Sequence, residues 1–284
     1  MTDQLTRYEM RTATFGYTTV QETAAAGERW RARAAGIYSP PPGMSFAEYR
    51  DTVVVGDGAD AGAVDETVAG VPVRVVRPER PRDGVVLHVH GGGWCLGSHR
   101  TQDGRLAAVA EATGRTVVSV GYRMAPESAW PAALADCVAV ASAFDDLLIA
   151  GESAGAHLAV LTMLAVGPGR FRGALLTYGA FDLAAPAVAR PVGIAFGGVD
   201  LRRYSPLFAD LAGVPPACFV VGTRDPLLPD TLMMEARWRG FADTRLHVAA
   251  AADHAFTLEP IAVTHEAERL SRAFLRDMAS NRGR

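Results

Sequence analysis

Ser153 stands in Gly151-Glu152-Ser153-Ala154-Gly155, a G-x-S-x-G pattern. A hydroxyl in such a turn can attack a carbonyl carbon if a base takes its proton. The setting gives the pattern its weight. Residues 147–150 read as a short apolar strand leading in, and Ala154–Val166 reads as a buried helix leading out, apolar nearly all round and stopped by Gly167-Pro168. A strand–turn–helix with Ser at its tip is a nucleophile elbow. Glycine at 151 and 155 lets strand and helix close around the serine.

A serine nucleophile needs a base, and the base an orienting acid, in the chain order Ser, Asp or Glu, His. After Ser153 the histidines are His157, His247, His254 and His265. His157 falls one helical turn past the serine and reads as structural. His247 falls inside a strand and His265 inside the last helix. His254 follows a strand in a loop, Asp253-His254-Ala255-Phe256, and is the expected base. Asp225 directly follows the strand at 218–221 and is the expected acid, with Asp182 as runner-up. Asp230 is expected to cap the next helix, and Asp253 is too close to His254 in sequence to reach its ring.

His90-Gly91-Gly92-Gly93-Trp94 follows another strand. Successive glycines leave backbone N–H groups bare, so Gly91 and Gly92, with Ala154, are expected to form an oxyanion hole. Trp94, Phe181 and Phe196 are expected to line the substrate pocket, with Phe15 and Tyr17 from the N-terminal segment.

The elements needed to position these groups can be read coarsely. A helical segment is expected over about 4–35, broken by Pro40-Pro41-Pro42-Gly43. Strands are expected at 52–55, Val71–Val76, 85–89, 116–121, 147–150, 174–178, 218–221 and 246–249, and a helix with a charged face over 261–278. Strands alternating with helices imply an α/β fold with a mostly parallel sheet covered on both faces. The stretch 183–204 interrupts the alternation with Pro, Gly and Ala and reads as an insertion over the site.

With these motifs in hand, the chain resembles the hormone-sensitive-lipase-like bacterial carboxylesterases from about residue 85 onward. The resemblance rests on His90–Trp94, Tyr122–Glu127, Trp130–Ala133 with Asp136, Gly151–Gly155, Ser205-Pro206, Gly222–Leu227 with Asp230, and Asp253–Phe256. It implies an α/β-hydrolase core spanning 46–284, a cap from residues 1–45, and cofactor-free ester hydrolysis through Ser153, Asp225 and His254. Arg123 and Glu127 are read as a buried structural pair. The stretches 182–205 and 136–151 are short for that family, and Glu152 replaces its usual Asp. The same triad would equally serve a metabolite deacetylase or amidase, or an acyltransferase. A non-catalytic receptor is disfavoured because all three triad residues are present.

Composition bounds the rest. The 284 residues are 49% hydrophobic and 21% charged, with net charge −3 and no basic cluster for a nucleic acid. All 28 cationic side chains are Arg, which excludes lysine Schiff-base chemistry. The three cysteines, Cys95, Cys137 and Cys218, have neither disulfide nor zinc spacing, so no metal is expected. The polar N-terminus lacks a signal-peptide core and no run is long enough for a membrane span, so a cytoplasmic protein is expected. The expected partner is a small-molecule ester, and the reading leaves room for a homodimer.

Overall fold

The computed structural model describes residues 17–53 and 61–281. In chain order the helices are α1 (Tyr17–Ala34), α2 (Phe46–Thr52), α3 (Asp103–Thr113), α4 (Ala132–Ser142), α5 (Ala154–Val166), α6 (Ala189–Ala195), α7 (Leu201–Tyr204), α8 (Leu228–Trp238) and α9 (Ala262–Ser280). The strands are β1 (Val64–Val68), β2 (Val71–Val76), β3 (Arg82–Val89), β4 (Arg115–Val120), β5 (Leu147–Glu152), β6 (Phe171–Thr177), β7 (Ala217–Gly222) and β8 (Thr244–Ala249).

The eight strands form one sheet in the order β1-β2-β4-β3-β5-β6-β7-β8. β1, β2 and β4 pair antiparallel and every other neighbour is parallel. Parallel strands need helical crossovers, which cover both faces, so the central strands must be apolar on both sides. β5 meets this demand: all six of its residues are buried. One core cluster holds Cys137 and Val140 of α4, Leu158 and Met163 of α5 and Trp238 of α8. The second holds Leu106 of α3, Phe274 and Leu275 of α9 and Ala26 of α1.

This topology collects the chemistry on one edge. Val89 at the end of β3 pairs with Gly151 of β5, Glu152 pairs with Thr177 at the end of β6, and Gly222 of β7 pairs with Ala249 of β8. The loops that follow these carboxyl ends carry His90, Ser153, Asp225 and His254. Ligand sites in open α/β sheets form at this edge.

Several expectations need correction. Residues 52–55 do not begin a strand. Thr52 ends α2, which starts in a capping box: Glu48 N–H donates to Ser45 Oγ at 3.2 Å and Ser45 N–H to Glu48 Oε2 at 2.8 Å. Val54 and Val55 lie outside the described residues, as do Phe15 and the rest of the expected helix before residue 17. β1 was not expected; it forms a hairpin with β2 through Ala69 and Gly70, both at positive φ. Arg123 and Glu127 do not pair. Arg123 holds Asp136, with Nη2 to Oδ1 at 2.7 Å, while Glu127 pairs with Arg50.

Candidate active site

Ser153 follows β5 and precedes α5, with φ +53 and ψ −118. A side chain in this backbone region is strained, and the surroundings hold it there. Ser153 N–H donates to Thr177 O at 2.9 Å, and Ser153 O accepts from Ala156 and His157 N–H. The flanking glycines are sterically required. A Cβ at Gly155 would lie 2.0 Å from Val89 O, and one at Gly151 would lie 2.5 Å from Gly155 O.

His254 Nε2 lies 3.0 Å from Ser153 Oγ, and His254 Nδ1 lies 2.9 and 3.0 Å from the two Asp225 oxygens. Asp225 is buried, and its Oδ1 also accepts Leu227 N–H at 2.8 Å. A carboxylate aimed at Nδ1 favours the tautomer with the proton on Nδ1, leaving the Nε2 lone pair facing the serine hydroxyl. The three residues expected from the sequence therefore form one hydrogen-bonded chain.

The rival residues are engaged elsewhere. Asp182 Oδ1 accepts from Ala184 N–H. Asp230 does not cap α8. It sits in the first turn of that helix, and its carboxylate accepts the N–H groups of Phe181 and Asp182, both at 2.9 Å, fastening the loop after β6. Burial raises its pKa. His157 accepts from Trp94 Nε1 at 3.2 Å through Nδ1 and donates from Nε2 to Tyr204 O at 2.8 Å. Burial pushes its pKa down to about 4, so it is a neutral strut.

Gly91, Gly92 and Ala154 line one cleft of about 690 Å³ together with Ser153 and His254. The Cβ position of Gly91 lies 3.5 Å from that of Ser153. Gly92 and Gly93 have φ +119 and +60, and a Cβ on Gly93 would strike the Tyr38 ring and hydroxyl. The run of glycines thus also makes room for Tyr38 against the loop. His90 is buried, stacks on Tyr122 with ring centres 4.2 Å apart, and has its pKa pushed down to about 3 by burial. It shapes the loop as an uncharged group.

The aromatic expectations divide. Trp94 borders the cleft but is itself buried. Phe196 packs between Trp94 and Trp130, and Phe181 packs against Phe219; both lie in the core and not in the cleft wall. The wall comes from residues the sequence did not single out. Trp30 and Tyr38 come from the N-terminal segment, Val188 and Pro191 from the expected insertion, and Tyr178 from the end of β6. The Tyr178 ring meets the His254 ring edge-on at 4.8 Å, and its hydroxyl bonds Thr257 Oγ1 at 2.6 Å.

Glu152, which precedes the serine, is buried, with both oxygens 3.1 Å from His88 Nε2 and Arg105 Nη2 at 3.7 Å from one of them. Burial raises its pKa, but His88 and Arg105 outweigh that and hold the carboxyl down at about 2. No group of three or more His, Cys, Asp or Glu among the described residues could hold a metal ion.

A family model described as alpha/beta hydrolase fold matches residues 86–258, a span holding the glycine loop, the elbow, Asp225 and His254. The chain belongs to the α/β-hydrolase fold family. An acetyl esterase of Salmonella typhi is 28% identical over 208 residues, covering 61% of this hydrolase-fold chain and 64% of the relative. The aligned part is therefore less than two thirds of the relative's length. Among solved structures, an esterase/lipase from an uncultured bacterium matches with a TM-score of 0.78 at 24% identity, covering 94% of this chain and 100% of the other. A hormone-sensitive lipase from a metagenome library matches with a TM-score of 0.80 at 21% identity, covering 90% and 98%. These two structures show the likeness of fold. With the family match they bear out the α/β-hydrolase core that the resemblance implied.

Proposed function

We propose that the protein is a serine carboxylesterase acting on short-acyl or small-metabolite esters without a cofactor. The observation that carries this reading is the hydrogen-bonded chain Asp225–His254–Ser153 at the floor of the cleft that the glycine loop borders. Ser153 Oγ attacks the ester carbonyl as His254 Nε2 takes its proton. Asp225 holds the imidazole and stabilises the imidazolium that forms. The N–H groups of Gly91, Gly92 and Ala154 receive the oxyanion, each worth about 3–4 kcal/mol by analogy with known holes. His254 returns the proton to the leaving alcohol. Water then attacks the acyl-enzyme, with His254 again as base.

The described part of the N-terminal segment, 17–45, and the insertion at 183–204 act as the cap, and its Trp30, Tyr38, Val188 and Pro191 line the same cleft as the catalytic serine. The three cysteines are free and buried, which suits a reducing cytoplasm. Among the described residues no helix is long and apolar enough to cross a membrane.

Hydrolysis of p-nitrophenyl esters of graded chain length, with the parent and Ser153→Ala side by side, tests the reading. Activity strongest on short chains and abolished by Ser153→Ala is expected. A folded parent that leaves every ester intact, or a Ser153→Ala protein as active as the parent, overturns it.

A further inference from the structure

The cleft carries a charge arrangement that the triad does not use. Asp253, next to His254, is buried at 4% exposure. Two guanidinium groups reach its carboxylate. Arg31 Nη1 of α1 donates to Oδ1, and Arg224 Nε lies 3.7 Å from Oδ2. The Arg224 contact is too long for a hydrogen bond, and Oδ2 has no hydrogen-bond partner among the described residues. The two arginine side chains are 45% and 40% exposed, and both border the cleft.

Among the described residues, this part of the cleft wall sets two half-exposed guanidiniums against one buried carboxylate. The neighbouring carboxylates are engaged by other groups: Glu152 by His88 and Arg105, and Asp225, buried behind the imidazole, by His254 and Leu227 N–H. His90 is held neutral by burial. The cationic ends are therefore what this wall presents to a bound molecule, and they are anchored beside the triad. Arg224 adjoins Asp225, and α1 sits so tightly on the His254 loop that a Cβ on Gly27 would fall 1.7 Å from Asp253 Oδ2. A half-exposed guanidinium on a cleft wall selects an oxyanion by paired hydrogen bonds and raises its local concentration.

We propose that the substrate is an anionic ester whose carboxylate or phosphate is bound at the rim by Arg224 and Arg31. This rests on the esterase reading above and assigns its substrate class. The decisive quantity is the ratio of kcat/KM for a charged ester to that for its neutral analogue, measured on each protein. Three pairs locate the anion: 4-acetoxybenzoate against its methyl ester, mono-p-nitrophenyl glutarate against p-nitrophenyl butyrate, and 4-acetoxyphenyl phosphate against phenyl acetate. In the parent at least one ratio is expected to exceed about 10, and the pair that does so gives the side and kind of the anion. Arg224→Gln and Arg31→Gln should each lower that ratio about tenfold, while Arg224→Lys, which keeps the charge but loses the paired donors, should fall between the parent and Arg224→Gln. Raising NaCl from about 0.05 M to about 0.5 M should lower it as well. A variant that is merely misfolded lowers both esters of a pair and leaves the ratio in place. Ratios near 1 for all three pairs, with Ser153-dependent hydrolysis of the neutral esters intact, overturn the assignment and spare the esterase reading. No hydrolysis of any ester overturns both.

Discussion

Replacing Asp225 by Asn probes the site where its geometry leaves least freedom. The side chain is buried, and Leu227 N–H, a fixed donor, points at Oδ1 from 2.8 Å. An amide of the same shape must keep its oxygen there to satisfy that donor. Its nitrogen then takes the Oδ2 position, 2.9 Å from His254 Nδ1. An amide nitrogen has only donors, so Nδ1 is driven to accept and the imidazole proton moves to Nε2. An Nε2–H 3.0 Å from Ser153 Oγ cannot take the serine proton. The expected fall in kcat is about 10⁴-fold, or about 5.5 kcal/mol of transition-state stabilisation. The fold should persist, since shape and the Leu227 hydrogen bond are both kept. Steady-state hydrolysis of p-nitrophenyl acetate near neutral pH, with thermal unfolding measured on the same samples, separates the two effects. If Asp225→Asn keeps kcat within about tenfold of the parent with the same unfolding midpoint, tautomer control by Asp225 is wrong.

Three further outcomes follow from the surroundings of the elbow. Gly155→Ala places a methyl group 2.0 Å from Val89 O and 2.5 Å from His90 O, both backbone. The end of β3 or the start of α5 must move, so stability should drop by about 1–3 kcal/mol and activity with it; an unchanged unfolding midpoint and rate would show that the strand end yields freely. His157→Leu strips partners from buried Trp94 Nε1 and half-buried Tyr204 O and should cost about 1–3 kcal/mol in denaturant unfolding. Should urea titration show no loss, the strut reading fails. Glu152 is held at about 2 in the folded chain against an ordinary 4.5, so its stabilisation is whole above about pH 4.5 and is lost as pH falls toward 2. Glu152→Gln should therefore flatten the decline of stability between about pH 5 and pH 2. Equal slopes for parent and variant, from unfolding curves at several pH values, would rule the linkage out.

The fold was legible where local pattern and burial demand the same residues. β5 and α5 are apolar because they are surrounded, and their bounds could be read almost to the residue. α3 and α4 have no counterpart among the expected elements, and α8 is anticipated only as the helix that Asp230 would cap. α4 is so rich in alanine that its apolar face hardly stands out, and α3 has little contrast between faces. Local signals were nonetheless present. Gly114 ends α3 in the left-handed region, and Ser45-Phe46-Ala47-Glu48 is a capping box, which should have turned the reading of 52–55 from strand to helix end.

The candidate site divides along the same physical line. Ser153, the glycine loop, Asp225 and His254 each stand at a strand end, and a parallel sheet brings strand ends to one edge, so spacing alone could nominate them. The cleft wall has no such rule. Phe181 and Phe196 were nominated for size and aromaticity, but large apolar side chains are drawn first into the core, and both packed there. The wall instead took Trp30, Tyr38, Tyr178 and the two arginines, which have one apolar or planar part and one polar end and can face both core and solvent. The Asp253 pair shows the limit most clearly. Beside His254 in sequence, Asp253 looked like a poor triad acid, and that holds. Its actual partner, Arg31, lies 222 residues away, and only the docking of α1 onto the last loop brings them together. A buried carboxylate must find a cation, but sequence cannot say which of 28 arginines answers. The residues that would set substrate charge are therefore the ones that spacing cannot reveal, even though the catalytic residues beside them can be read by motif.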